Sequence, residues 1–222
     1  LEKNPVGDFS AIENAVLEHW GDLGLDVPWV SQKWRNTLNN ILVGMVDYLR
    51  KIESEGRKHI VVEETMNINL PIPGSEQRVL VSGRIDRIEE TASGQVLIID
   101  FKTRINPNKG VSKTNIQENL QLKSYQLAFQ LNKFSKFDST GKELQHASLV
   151  HPRTKIKDTF TEYKQPGFSE TELAEFEQRL IAVAEEMNSA SFAGPAEVED
   201  DFGDGGKHKK QLFRTPEVSS DE

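Results

Sequence analysis

Gly83-Arg84-Ile85-Asp86-Arg87, followed after a short gap by Ile98-Ile99-Asp100-Phe101-Lys102-Thr103, is the stretch that decides the reading of this chain. Val96-Leu97-Ile98-Ile99 is apolar and β-branched, the pattern of a strand buried on both faces. Asp100 and Lys102 interrupt it. Side chains two apart on a strand share a face, so these two project together. Asp86 is expected to join them from the neighbouring strand. Burying a lone carboxylate is costly unless it is paired or binds a metal. Two acids and a lysine converging at a strand end make a hard-cation site able to activate water against a phosphodiester. A buried Asp–Lys ion pair between strands is the competing reading of the same residues.

Working outward, residues 59–70 alternate and end at Pro71-Ile72-Pro73-Gly74, which predicts a strand and a turn. Residues 77–89 and 95–103 predict two more strands, joined as a hairpin through Ser93-Gly94. A loop containing Pro107 and Gly110 leads to a helix over about 115–131, and 144–151 predicts a fourth strand. Upstream, 10–20 predicts a short amphipathic helix. A longer one carries Trp34, Leu38, Ile41, Leu42, Met45 and Leu49 at helical spacing and stops near Gly56. Downstream, Ser169 with Glu172 forms a capping box. It opens a helix with the stripe Leu173, Phe176, Leu180, Val183 and Met187, assigned to the core. Residues 194–222 are acidic, Gly-rich and irregular, with Lys207-His208-Lys209-Lys210 inside them. The expected organisation is one domain over 1–193, with helices in 10–56 and a core over 57–190, then a tail over 194–222. Periodicity gives only a mixed α and β chain.

The 222 residues carry a formal charge of −8 and no cysteine. Without cysteine they hold no disulfide, no thiolate zinc site and no iron–sulfur cluster. The charge is divided unevenly. Residues 101–168 hold 12 Lys/Arg against 5 Asp/Glu, a balance of +7, which leaves −15 elsewhere. A basic stretch directly after the charged strand suits phosphate contact; a solvated face of lysines is the plainer alternative. No apolar run reaches membrane-spanning length. A soluble, cytoplasmic protein with no membrane partner is expected. The chain opens at Leu1 without Met and is expected to be part of a longer polypeptide.

The string Gly-Arg-Ile-Asp-Arg … Ile-Ile-Asp-Phe-Lys-Thr, with Gln121-Leu122-Lys123-Ser124-Tyr125 on the following helix, resembles the RecB-like branch of the PD-(D/E)xK nuclease superfamily. The resemblance implies a restriction-endonuclease-like α/β (mixed α+β) core, a central mixed sheet flanked by helices. Further stretches extend it: Leu1–Pro5 through Pro28-Trp29, Val62-Glu63-Glu64, Gln121–Ala128 and Ser148–His151 look like the C-terminal nuclease module of actinobacterial AdnB-type helicase–nuclease subunits. That likeness spans most of residues 1–190.

The resemblance implies that Asp86 and Asp100 bind Mg²⁺ or Mn²⁺, with the Phe101 carbonyl as a further ligand, and that Lys102 acts on the attacking water or the phosphate. Gln121 and Tyr125, four apart on one helical face, are implied to position DNA or the second Asp; a buried tyrosine satisfied locally competes with that. Glu63 or Glu64 is a candidate for an added carboxylate. Arg87 has two candidate partners, a phosphate and a glutamate, and Gly83 is expected to allow close approach beside the site. His19, His59, His146, His151 and His208 show no metal spacing. The family's ligand histidine is expected upstream of Leu1.

The function implied is a metal-dependent exonuclease domain of a helicase–nuclease acting on single-stranded ends in double-strand-break repair. Its implied partners are DNA, the rest of the helicase polypeptide and a second helicase–nuclease subunit. These residues contain no Gly-x-x-x-x-Gly-Lys-[Ser/Thr] phosphate loop, so any ATPase is expected outside them. A DNA-binding or scaffolding module with a degenerate nuclease fold is the rival.

Overall fold

The continuous apolar run becomes the central strand. In the computed structural model β3 (Val96–Phe101) is buried from Val96 through Asp100. It lies in a five-stranded sheet of order β1-β2-β3-β4-β5, with β1 Lys58–Pro71, β2 Arg78–Glu90, β4 Leu144–His151 and β5 Thr161–Pro166. β3 runs antiparallel to β2 and parallel to β4; the outer pairs are antiparallel. A parallel neighbour requires a crossover. It passes through a 3₁₀ turn (Ile116–Glu118) and a helix, Leu120–Gln130. With Pro28–Ser54 as α1, that helix is α2, and Glu170–Asn188 is α3. The mixed sheet flanked by three helices is the α+β architecture of a restriction-endonuclease-like fold.

The described residues are 28–103, 115–152 and 159–188, with Ser10, Glu13, Asn14 and Glu18. The helix expected over 10–20 is otherwise outside them. So are His19, His208, the loop around Pro107 and the tail. By internal contacts the chain divides into Leu1–Asn188 and Ser189–Glu222.

Alternation along β3 sorts two cores. Val96 and Ile98 join Met66, Ile68, Leu122 and Phe176 under α2 and α3. Leu97 and Ile99 face the other way, onto Tyr48, Leu49 and Ile52 of α1 and Val150. Each aliphatic side chain buried this way contributes about 1.5–3 kcal/mol relative to exposure.

Several expectations shift. Trp34 of the predicted α1 stripe is 44% exposed, whereas Tyr48 is fully buried. Among the described side chains of α1, Thr37 and Leu42 are the first that are buried. In α3, Leu173, Phe176 and Ile181 are buried and Leu180 and Ala184 pack partly against the core, while Val183 and Met187 are exposed. The helix expected as one piece over 115–131 is two. Asn119 Oδ1 accepts from Leu122 N at 3.0 Å and starts α2 afresh. The strand β5 was not expected. Thr-Glu-Tyr-Lys-Gln-Pro is polar and ends in proline, which an edge strand tolerates because it bonds on one side only.

One buried side chain of β5 locks the crossover. Gln165 Nε2 lies within 2.8–3.2 Å of the carbonyls of Ile116, Gln117 and Asn119. Its Oε1 accepts from Gln126 Nε2 at 2.9 Å, and Gln126 Oε1 accepts from Phe168 N at 2.9 Å. This amide chain fixes the N-terminal end of α2, and with it Gln121.

Candidate active site

The site forms where β2 leaves β3. Their ladder ends at Arg87↔Ile99, although β2 continues back to Arg78 paired with β1 alone. One rung further Asp86 would face Asp100. Alternation breaks there: Ile85 and Ile88, three apart, belong to the same core. Opposite, between the rungs Val62↔Arg87 and Glu64↔Ile85, Glu63 takes a left-handed φ of 53°. The kink turns Asp86 toward the end of β3, where its Oδ2 accepts from Phe101 N at 2.6 Å.

Asp100 is 3% exposed. Its Oδ1 accepts from Gln121 Nε2 at 2.9 Å and lies 3.1 Å from the Tyr125 hydroxyl. Lys102 Nζ is 2.6 Å from Oδ2. That contact is ionic: Oδ2 is buried and receives no hydrogen bond of good geometry. Lys102 stays beside β4 because its own N–H donates to Val150 O at 2.8 Å. The Tyr125 hydroxyl also sits 3.0 Å from Arg84 O and 2.6 Å from Gln121 Nε2. With one hydrogen it donates to Arg84 O or Asp100 at a time and accepts from Gln121. Asp86, Asp100, Lys102, Gln121 and Tyr125 are thus brought into one constellation.

Burial, reinforced by the charges of Asp100 and Glu63, holds the Asp86 carboxyl above the usual range; the Phe101 amide and Lys102 work against that rise. Burial and the Asp100 charge push the Tyr125 phenol far up, so it stays a donor.

The donor set fits a hard divalent cation. The charge of Asp100 adds to the cost of ionising Asp86, and the buried Asp100 Oδ2 meets Lys102 without a hydrogen bond of good geometry. Mg²⁺ keeps several waters and commonly takes one or two carboxylates, a number that Asp86 and Asp100 can supply. Among the described residues no group of three or more His, Cys, Asp or Glu gathers as for a metal ion.

The remaining candidates separate. Glu64 is fully buried and accepts from Ser135 N (2.6 Å) and Lys136 N (2.9 Å), which commits it to that loop. Glu63 is exposed, lies opposite Asp86 and pairs with Arg84. Arg87 has the glutamate as its partner: its Nε is 2.6 Å from Glu89 Oε1, on the α1 side, where Tyr48 and Arg57 also reach Glu89. A Cβ on Gly83 would press on Met66 Cε at 2.8 Å and touch the Tyr125 ring at 3.6 Å. Side chains, not backbone, crowd that position. His59 is exposed, and His146 contacts Glu162 at 3.5 Å. His151 follows Val150, the partner of Phe101, so it holds the rung beside Lys102. It is 3% exposed and packs edge-on against Tyr163. No spacing in the sequence marks it; only the parallel register does.

Beside the carboxylates lies a cavity of about 230 Å³ lined by Met66 of β1, Val81 and Gly83 of β2, and Gln121, Ser124 and Tyr125 of α2.

Fold and site together define a nuclease-type centre. The PD-(D/E)XK nuclease superfamily model matches residues 3–199, and the chain belongs to that superfamily. No curated protein matches the chain. Among solved structures it is similar to SSO0001, known from a crystal structure, at 12% identity and a TM-score of 0.35. That match covers 81% of this chain and 72% of the other, and is too slight to bear on function. No helix among the described residues is long and apolar enough to cross a membrane.

Proposed function

We propose that residues 1–193 form a metal-dependent DNA exonuclease domain of the RecB-like branch, working within an ATP-driven helicase–nuclease that processes double-strand ends in the cytoplasm. The observation that carries this reading is the meeting of Asp86, Asp100 and Lys102 at the strand fork, with Gln121 and Tyr125 holding Asp100. The helicase context, AdnB-like, rests on sequence likeness alone, as do the second subunit and single-stranded ends as substrate.

A bound Mg²⁺ or Mn²⁺ would supply Lewis-acid stabilisation of charge on the phosphate oxygens. Asp86 and Asp100 would hold it. Gln121 and Tyr125 fix the Asp100 carboxylate in orientation, as outer partners of metal ligands do. Lys102, 2.6 Å from Asp100 and a quarter exposed, stands where it can orient the attacking water or contact the scissile phosphate. Water adds through oxygen to phosphorus, the P–O bond to the leaving sugar breaks, and the proton lost from water ends on solvent or the leaving oxygen.

A non-catalytic DNA-binding module is the second reading. It is favoured by the gathering of only two carboxylates among the described residues. Calorimetry with Mn²⁺ separates the two. The nuclease reading expects a site that vanishes in Asp86→Ala and in Asp100→Ala; equal binding by both variants and the wild type removes it.

A further inference from the structure

The cavity next to the carboxylates has a chemistry of its own. Its floor is apolar: Met66, Val81 and the bare backbone of Gly83. Its rim is polar, with Gln121 and Ser124 on α2. Arg84 also lines it, its side chain 67% exposed and, among the described residues, paired with the exposed Glu63. A surface ion pair of that kind is worth little and exchanges readily. The wall formed by Gln121 and Tyr125 is shared: the same two side chains bond Asp100 on the other side. A group in the cavity is therefore one side-chain layer from the scissile position.

We propose that this cavity is a nucleoside subsite, taking the base and sugar next to the phosphate that is cut. The inference rests on the nuclease reading for its place in a reaction, but not for its binding. Size favours it: about 230 Å³ lies below the roughly 300 Å³ of a typical drug-sized pocket, so one ring-bearing residue fits and a longer strand does not. Polarity favours a base over a phosphate. A phosphate pocket needs convergent cations or backbone amides, and here one already-paired arginine stands above an apolar floor. Hydroxyl and amide groups at the rim accept or donate to any base edge, which makes the subsite tolerant of sequence. A side chain at Gly83 would displace Met66, a wall of the cavity, and press on Tyr125.

The test is equilibrium binding by the full chain, with Ca²⁺ as the metal, of two labelled probes. One is a short oligothymidylate; the other is the same backbone with abasic residues. Wild type is expected to bind the oligothymidylate about tenfold more tightly than the abasic strand. Ser124→Leu fills the cavity from a half-exposed helix position, where leucine is a good helix former and the lost bond is only to Leu120 O at 2.9 Å. It should bind both probes alike, at the abasic level. Equal binding of the two probes by wild type overturns the subsite whatever the variant does. So does a folded Ser124→Leu that keeps the wild-type preference. Base-dependent binding, with Mn²⁺ binding that is the same in Asp86→Ala, Asp100→Ala and wild type, leaves the subsite standing and removes the nuclease reading; metal-dependent cleavage without base dependence does the reverse.

Discussion

The Phe101 amide donates to Asp86 Oδ2 at 2.6 Å, a side-chain bond made at the point where the backbone ladder between β2 and β3 stops. One residue thus reads two strands. Phe101 faces the α1 side with its ring, 5.5 Å from the Tyr48 ring, and holds the first carboxylate with its N–H. Its neighbours Asp100 and Lys102 make the ion pair. Strand pairing, aromatic packing and the position of Asp86 are therefore tied through a single backbone position.

Lys102→Ala should leave the domain folded, because the side chain is a quarter exposed and outside both cores. In the helicase–nuclease proposed above, cleavage of single-stranded DNA should fall by about 10²-fold or more. A thermal melt checks the fold and a gel assay the rate. Parental cleavage would make Lys102 a structural ion-pair partner.

Tyr125→Phe removes a hydroxyl within reach of Asp100 and the Arg84 carbonyl while keeping the ring in place. Removing an outer partner of a metal ligand typically weakens the metal by about tenfold. Calorimetry with Mn²⁺ should show that loss, with a stability cost of about 1 kcal/mol. Unchanged Mn²⁺ affinity would mean that Gln121 alone orients Asp100.

Gly44 is where α1 crosses the chain around Pro152 and Thr159; a Cβ there would run into the carbonyl oxygens of both. In an open helix Gly→Ala stabilises by about 0.5–1 kcal/mol. Here Gly44→Ala should destabilise by about 1–3 kcal/mol, since backbone cannot move aside as a side-chain tip can. Urea unfolding gives the sign, and a gain in stability would show α1 undocked at that point.

Glu162 shows a pH dependence with a definite direction. Burial works to raise its carboxyl, but contacts from His146 (3.5 Å) and Lys51 (2.9 Å), with Lys164 at 3.7 Å, hold it well below the usual range. Ser148 Oγ adds a bond at 3.1 Å. A depressed folded pKa means stability that is complete above the unfolded value, near 4.5, and lost as pH falls through the folded one. Glu162→Gln should cost about 1–3 kcal/mol at neutral pH. The gap from wild type should narrow below pH 4.5. A gap constant with pH would assign the loss to packing.

The strands of the site were legible because burial on both faces leaves an unmistakable apolar run, and charges within it stand out. Gln121 and Tyr125 were singled out by the resemblance, and their spacing of four says only that they share a helical face. Arg87 was not decided by sequence, since its partner Glu89 is set by which side of the kink it falls on. The kink itself, with Glu63 in a left-handed conformation, has no residue signature; glycine would have announced it and glutamate does not. β5 was hidden for a related reason: an edge strand needs few apolar residues, and its one fully buried side chain, Gln165, is polar. His151 is placed by parallel register, which a crossover through residues far apart in sequence determines.

Past the fork, the ribbon of β1 and β2 has no third strand from β3 to stiffen it. Two-stranded ribbons twist freely. This one is moored instead on its far edge: Asn67 N donates to Lys133 O at 3.1 Å, Ser135 N to Thr65 O at 3.0 Å, and Met66 bridges Phe134. Glu64 pins the same loop. The width of the cavity that Met66 lines is consequently governed from a mooring on the opposite margin of the ribbon. Drift in the Lys133–Lys136 segment would reshape that cavity while leaving Asp86, Asp100 and Lys102 where they are.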